Sequence, residues 1–402
     1  MKLGLEKLLN DSQLLTRLSG RRIAYLGHPA SVDANGRHGL DLLKESGKLS
    51  LSSAFGPQHG MRGEKQDNMI ESEHYRDPDT GVLVFSLYSE VRRPTAEMIE
   101  SFDVLLVDMQ DVGCRVYTYL TTLLYMMEAC AKAGKSLWVL DRPNPAGRPH
   151  EGFLLDASME SFVGASRVPL RHGLTLGEIA LFLKAHHKLD LDLEVVAMDG
   201  YKISAAPGHG WPTGEIPWVN PSPNMPTLCT ARCYGGTVLL EGTLLSEGRG
   251  TTRPLQIFGA PGLNSKHIIR ELHARAPRLL ESCFVRSCFF EPTFHKFKGK
   301  LCEGLQIHVD TERHYRHESF QPFRLMMMIF KIIHEKQPAL MAWRQPPYEY
   351  ETVRLPIDLL IGDVRGREWV NNSGSRLEDL DALLKPHEQE WSEVIRPHLL
   401  YS

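Results

Sequence analysis

Short apolar runs alternate with stretches of helical period through the first two hundred residues. Residues 21–26, 49–55, 82–87, 103–108, 136–140 and 193–197 read as strands, and 39–45, 94–100, 118–133 and 175–187 as helices. The run 103–108 is continuously apolar between its two aspartates, as a strand covered on both faces must be. Gly134 suits a left-handed stop for the helix before it. Pro94 suits the first position of helix 94–100, with Thr95 near its start. Strand and helix alternate with short connections, which predicts an α/β fold with a parallel sheet and helices on both faces. Ligands bind such sheets outside the carboxyl ends of the strands. Four predicted strand ends carry dense polar, glycine and proline motifs, at His28, Gln58-His59, Asp108 to Asp111 and Asp141 to Asn144.

The alternation then breaks. Residues 207–253 form a long loop-rich stretch, which in a compact domain points to function. Past residue 258, helices at 267–276, 322–335 and 377–385 and a strand at 305–309 no longer alternate tightly. Two domains are expected, a catalytic domain at 1–258 and a smaller α+β domain at 259–402.

Composition narrows the function classes. The chain has 402 residues, 42% of them hydrophobic, with a formal net charge of −3. A core is affordable, and nothing offers an electrostatic grip on nucleic acid or an acidic membrane. Arg324 and Lys331 interrupt the apolar stretch 323–333, and Glu6, Lys7 and Asp11 interrupt any secretory apolar region near the start. The seven cysteines are scattered, and neither Cys229/Cys233 nor Cys283/Cys288 has the spacing of a zinc site. Reduced thiols and a cytoplasmic location are expected. No zinc-protease, phosphate-loop or dinucleotide motif occurs, so neither metal nor cofactor is expected.

Candidate chemistry gathers in loops. The segment 55–63, FGPQHGMRG, offers glycines for close backbone approach, the Gln58 amide, the His59 imidazole and the Arg62 cation. Glu64, Asp67 and Glu71 follow in a charged run, a composition that also suits a solvated face. Asp108 and Asp111 offer a carboxylate pair, and Arg115 with Tyr117 an anion or sugar contact. Asp108 also suits a helix cap, and Asp111 equally suits a structural pair with Arg115. Asp141 and Arg142 suit a structural pair that leaves Asn144 as the better ligand contact. Trp218 heads a proline-rich loop presenting Asn220, Ser222 and Asn224, and a tryptophan beside amides suits a sugar. The segment 246–252, with Glu247 and Arg249, suits either an anion site or a turn.

Taken together, FGPQHGMRG, SLYSEVRRPT, DVLLVDMQDVGCRVYTYLTT, VLDRPNP, PWVNPSPNMPT and LLEGTLLSEGRGTT closely resemble the exo-β-N-acetylmuramidase family of the NamZ type. The resemblance runs from about residue 20 to the C-terminus. It implies a Rossmann-like N-terminal domain, a smaller C-terminal domain that completes a cleft, and release of N-acetylmuramic acid from the non-reducing end of peptidoglycan fragments. With no secretory segment, that implies small recycled sugars as substrates. The family pattern has a glutamate, the presumed acid, where this chain has Gln58, and an amide cannot protonate a leaving group. Glu64 is then the first choice for the acid and Glu71 the second, with Asp111 as partner carboxylate and His59 beside them. Arg62, Arg115 and Arg249 are the candidates for the lactyl carboxylate. An amino-sugar sensor that lost catalysis at Gln58 is the rival reading, and a transferase or lyase acting on an anionic sugar is a weaker third.

Overall fold

The computed structural model describes residues 1–63, 73–89 and 92–402. Among them, seven strands form the central sheet: β1 (Arg22–Gly27), β2 (Ser50–Gly56), β3 (Tyr75–Arg76), β4 (Leu83–Ser86), β5 (Val104–Asp108), β6 (Ser136–Leu140) and, after a two-stranded ribbon of β7 (Glu151–Leu154) and β8 (Pro169–Arg171), β9 (Leu193–Val196). Their order is β3-β4-β2-β1-β5-β6-β9, and only the edge strand β3 runs antiparallel to its neighbour. Without β3 this is the Rossmann winding, whose chain order reverses between β1 and β5. The expected parallel sheet is present, and β5 is buried along its whole length as its apolar run requires.

Local chemistry sets the helix ends. The Thr95 hydroxyl accepts from the Met98 amide, so helix Ala96–Glu100 starts just after it. Pro94 therefore precedes the cap and is not the first helical residue as expected. Gly134, at φ 63°, ends helix Tyr119–Ala133 in the left-handed conformation.

Tertiary contacts override the sequence pattern elsewhere. The predicted loop 207–253 contains helix Leu228–Thr237 and a 3₁₀ turn, Val238–Gly242. Its Gly235-Gly236 pair reads as a helix breaker, yet a side chain on Gly236 would lie 2.0 Å from the Pro322 carbonyl oxygen. The glycines permit close packing on helix Pro322–Lys336 and trade propensity for contact. The last helix, Leu377–Ile395, continues through Pro386 instead of stopping at 385. Leu380, Leu384, Trp391 and Ile395 bury one face of it, and the Trp391 indole donates to the His172 carbonyl at 2.9 Å. The C-terminal half also holds an antiparallel sheet, β10 (Ile257–Ala260), β11 (Phe284–Phe290) and β12 (Cys302–His308), ordered β10-β12-β11.

The two halves share one core. Phe153, Phe182, Phe323, Ile357 and Trp391 belong to the same buried cluster as Leu26, Val107 and Val139. Glu151 on β7 accepts from the Phe323 and Arg324 amides and so caps helix Pro322–Lys336 from the other half. At the carboxyl edge of the main sheet, Asp108 ends β5 and pairs with Arg142 just beyond β6, both almost fully buried. The Tyr25 hydroxyl donates to Asp108 at 2.6 Å, and Arg142 Nη1 donates to the Val32 carbonyl at 2.9 Å. Removing one member of a buried pair strands the other charge. Arg142→Met should therefore cost about 3–5 kcal/mol, read as a lowered urea midpoint with unchanged slope. A midpoint within error of wild type would show that the pair is not a structural clamp.

Candidate active site

A polar pocket opens beyond the carboxyl ends of β2, β1 and β5, where the winding reverses. It is lined by Gln58 and His59 after β2, Val116 to Thr118 after β5, Ser222 and Asn224 of the proline-rich loop, and Tyr234, Glu241, Arg249, Tyr348 and Glu349. His59 and Ser222 also line a more open groove with Arg62, Trp218 and Asn220, so pocket and groove meet at these two residues. The Trp218 indole donates to the Met225 carbonyl and packs edge-on against Trp211 at 4.9 Å, which fixes its ring on the groove wall.

His59 sits at φ 74°, a left-handed conformation rare for a residue with a Cβ, and is only 5% exposed. Strain of this kind concentrates at functional sites. Next to it, Gln58 Oε1 accepts from the Thr118 hydroxyl at 2.7 Å. Glu349 lines the same pocket.

Two carboxylates reach the pocket that the sequence reading did not select. Glu241, in the 3₁₀ turn, accepts from Arg249 Nη2 and from the Tyr348 hydroxyl, both at 2.7 Å. Arg249 also donates to Glu247 at 3.1 Å and thus bridges two acids. Glu349 accepts from the Tyr88 hydroxyl at 2.9 Å. Burial drives the Glu349 carboxyl above the usual carboxylate range, and nearby Glu241 adds to this; Tyr88, Arg92 and Gln58 pull against it. Glu241 lies inside the segment LLEGTLLSEGRG. Glu349 follows two prolines in the run Pro346-Pro347-Tyr348-Glu349-Tyr350-Glu351, where acidic and aromatic residues on a proline-stiffened loop were the available signal.

The predicted site residues divide sharply. Gln58, His59, Tyr117, Ser222, Asn224 and Arg249 line the pocket, and Arg62 and Asn220 line the groove. Glu64 and Glu71, with Asp67, lie outside the described residues. Asp111 is not in the lining. It is 5% exposed, accepts from the Gly113 amide and faces the His172 ring at 3.1 Å, while its second oxygen has no hydrogen-bond partner.

Four others hold the fold together and line neither space. Arg115 is fully buried and donates to the Phe153, Val168 and Leu360 carbonyls, and burial lowers its guanidinium to about 10. Arg142 serves Asp108. Asp141 accepts from the Thr175 and Tyr401 hydroxyls and the Gly177 amide at the start of helix Leu176–His186, and burial raises it to about 6. Asn144 ties Gly147, Leu174 and Ala146 into one turn. Their polar groups are engaged with backbone and side-chain partners at the strand ends. Glu247 likewise lies behind Arg249; against the cost of burial, the Lys296 and Arg249 cations and a hydrogen bond from His295 hold its carboxyl far below its usual range.

Among the described residues, His209, His317 and Glu318 bring ligand atoms within 4.8 Å of one another. The two imidazoles are stacked, 13° from parallel at 4.7 Å, so their in-plane lone pairs do not converge on one ion.

A Rossmann-type sheet with a carboxylate-bearing pocket at its reversal point, closed from the C-terminal half, defines an α/β enzyme architecture. The chain belongs to the family described as exo-beta-N-acetylmuramidase NamZ, whose N-terminal model matches residues 23–229 and whose C-terminal model matches residues 232–401. It is 36% identical over 399 residues to peptidoglycan beta-N-acetylmuramidase NamZ of Bacillus subtilis (strain 168), covering 99% of this chain and 91% of that one. Two crystal structures of DUF1343 family proteins from Bacteroides fragilis NCTC 9343 are also similar. One has a TM-score of 0.86 at 28% identity and the other 0.77 at 26%, each covering 100% of this chain and 99% of the other.

The raised Glu349 carboxyl has a consequence for stability. Its native value lies above its unfolded one, so its stabilising contribution is complete below the unfolded value, near pH 4, and is lost as pH rises through the native value. Glu349→Gln should therefore melt at a higher temperature than wild type at pH 8, with the gap closing toward pH 4. A gap that is constant across this range, or reversed, contradicts the raised value.

Proposed function

We propose that this chain is a glycoside hydrolase that releases N-acetylmuramic acid from the non-reducing end of peptidoglycan-derived fragments. The observation that carries this reading is the pocket at the reversal point, where the family's motif residues Gln58 and His59 meet two buried glutamates. The B. subtilis relative, named for its action on peptidoglycan, shares 36% of its residues over nearly the full chain.

The geometry suits an exo mode. The pocket takes the terminal sugar, and the groove beyond His59 and Ser222 takes the remainder, with the Trp218 ring as its apolar wall. Arg249 in the pocket and Arg62 in the groove are the cations within reach of the lactyl carboxylate. Arg62 already holds Asp41 and Asp77, and Arg249 holds Glu241 and Glu247, so each site is braced before a ligand arrives. A C-terminal domain from residue 259 completes the cleft by supplying Tyr348 and Glu349.

All seven cysteines are free thiols, which supports a cytoplasmic enzyme working on recycled sugars. No helix among the described residues is long and apolar enough to cross a membrane. The amide at position 58 favours a second reading, a protein that binds amino-sugars without cleaving them.

Incubation with 4-nitrophenyl N-acetylmuramide distinguishes the two. Release of nitrophenol and free N-acetylmuramic acid is expected. The N-acetylglucosaminide analogue, lacking the lactyl anion, should react about ten- to a hundredfold more slowly, the worth of one charged hydrogen bond at about 1.5–3 kcal/mol. Binding of N-acetylmuramic acid in a calorimeter with no turnover of the muramide would leave the sensing reading in its place.

A further inference from the structure

Gln58 cannot give up a proton to a leaving group, so hydrolysis in this pocket needs an acid from elsewhere. Of the two glutamates in its lining among the described residues, Glu241 is committed. One oxygen takes a hydrogen bond from the Arg249 guanidinium and the other from the Tyr348 hydroxyl, so both are occupied. Glu349 differs. It takes a hydrogen bond from the Tyr88 hydroxyl at 2.9 Å and is 7% exposed.

The backbone beneath Glu349 is unusual in the way functional positions are. Tyr348 and Glu351 exchange both amide–carbonyl hydrogen bonds at 2.9 Å, closing a two-residue hairpin turn. Its central residues, Glu349 at φ 43° and Tyr350 at φ 70°, are both left-handed. That is the type I′ turn, where Asn-Gly or Gly-Gly is the usual choice because a Cβ is strained there. Strain of this kind persists only where the surroundings enforce it. Here the turn directs a carboxylate into the pocket against Gln58, while Tyr350 and Tyr88 flank the Arg92 guanidinium at 4.1 and 4.0 Å.

We propose that Glu349, delivered across the cleft by this strained turn, is the proton donor for glycoside cleavage. The inference rests on the hydrolase reading above. As the bond from C1 to the glycosidic oxygen breaks, its electron pair stays on that oxygen, which takes the Glu349 proton. A water then adds to C1 and returns a proton to the Glu349 carboxylate, so one water is consumed and the acid is regenerated. Among the described residues, the charged and titratable groups around it are Arg92, Tyr88 and Glu241, with His59, Tyr348 and Arg249 in the same pocket. Burial and Glu241 favour the protonated acid, and Tyr88 and Arg92 oppose it.

The test compares two substrates with different needs for protonation. On the disaccharide N-acetylmuramyl-N-acetylglucosamine, Glu349→Gln should lower kcat by about 10²–10⁴-fold, the usual worth of a general acid. On 4-nitrophenyl N-acetylmuramide, whose leaving group departs without a proton, the loss should be less than about tenfold. Both rates come from one preparation, so partial misfolding lowers them equally and leaves their ratio unchanged. A second variant, Tyr88→Phe, removes a hydrogen bond that favours the carboxylate and should move the alkaline limb of the kcat profile to higher pH. Equal losses on both substrates, no loss on either, or an unmoved alkaline limb in Tyr88→Phe would each overturn the assignment while leaving the hydrolase reading intact. A wild-type protein inert toward both glycosides would instead remove the hydrolase reading, and the acid with it.

Discussion

The buried pair between Asp108 and Arg142 is the constraint on which the working edge of the sheet depends. Three strand ends meet there. Asp108 closes β5, the Tyr25 hydroxyl reaches it from β1, and Arg142 reaches it from just beyond β6. The same clamp spreads into the loops, because Ser31 donates to the Asp108 carbonyl and Arg142 to the Val32 carbonyl. A charge pair this deep contributes little net stability against a hydrophobic alternative, but its geometry admits one arrangement of the three loops. With those ends locked, the segments after β2 and β5 carry Gln58, His59, Tyr117 and Thr118 into one pocket.

The pocket is built from both halves of the chain. The N-terminal sheet supplies the floor and the amide at 58. The C-terminal half supplies Tyr348 and Glu349, and the connecting stretch supplies Glu241 and Arg249. Polar side chains dominate a space largely closed to water, where each ionised group needs a specific partner. Arg249 between Glu241 and Glu247, and Tyr88 against Glu349, show how that demand is met. The raised Glu349 carboxyl is the group for which it is met least completely.

Much of the Rossmann half was legible in the sequence because its strands are short apolar runs ended by glycine, proline or aspartate. The run 136–140 matches β6 residue for residue. The reading faltered where packing overrode propensity. The stretch 207–253 reads as loop yet contains a helix at Leu228–Thr237, and the helix expected at 377–385 runs on through Pro386 to Ile395. Strand-end density pointed to the edge where the pocket opens but did not tell a pocket-lining side chain from a backbone tie, since Asn144 and Gln58 are the same chemistry in different surroundings. Glu349 escaped notice because it comes from a turn far from any strand end, and its importance depends on contacts that only folding creates.

Arg115 shows what the joining of the halves entails. Its guanidinium starts beside β5 and ends on the Leu360 carbonyl, and a side chain on Gly362 would lie 2.5 Å from it. Glu151, Tyr401 and Trp391 cross the same boundary with their own buried hydrogen bonds. Separating the halves would leave a cation and several polar groups in apolar surroundings with nothing to satisfy them. The C-terminal half is therefore not an exchangeable module: a chimera that grafts it onto another Rossmann sheet inherits Leu360 and Gly362 without the arginine they were shaped around, and each half can drift in sequence only as fast as the other accommodates it.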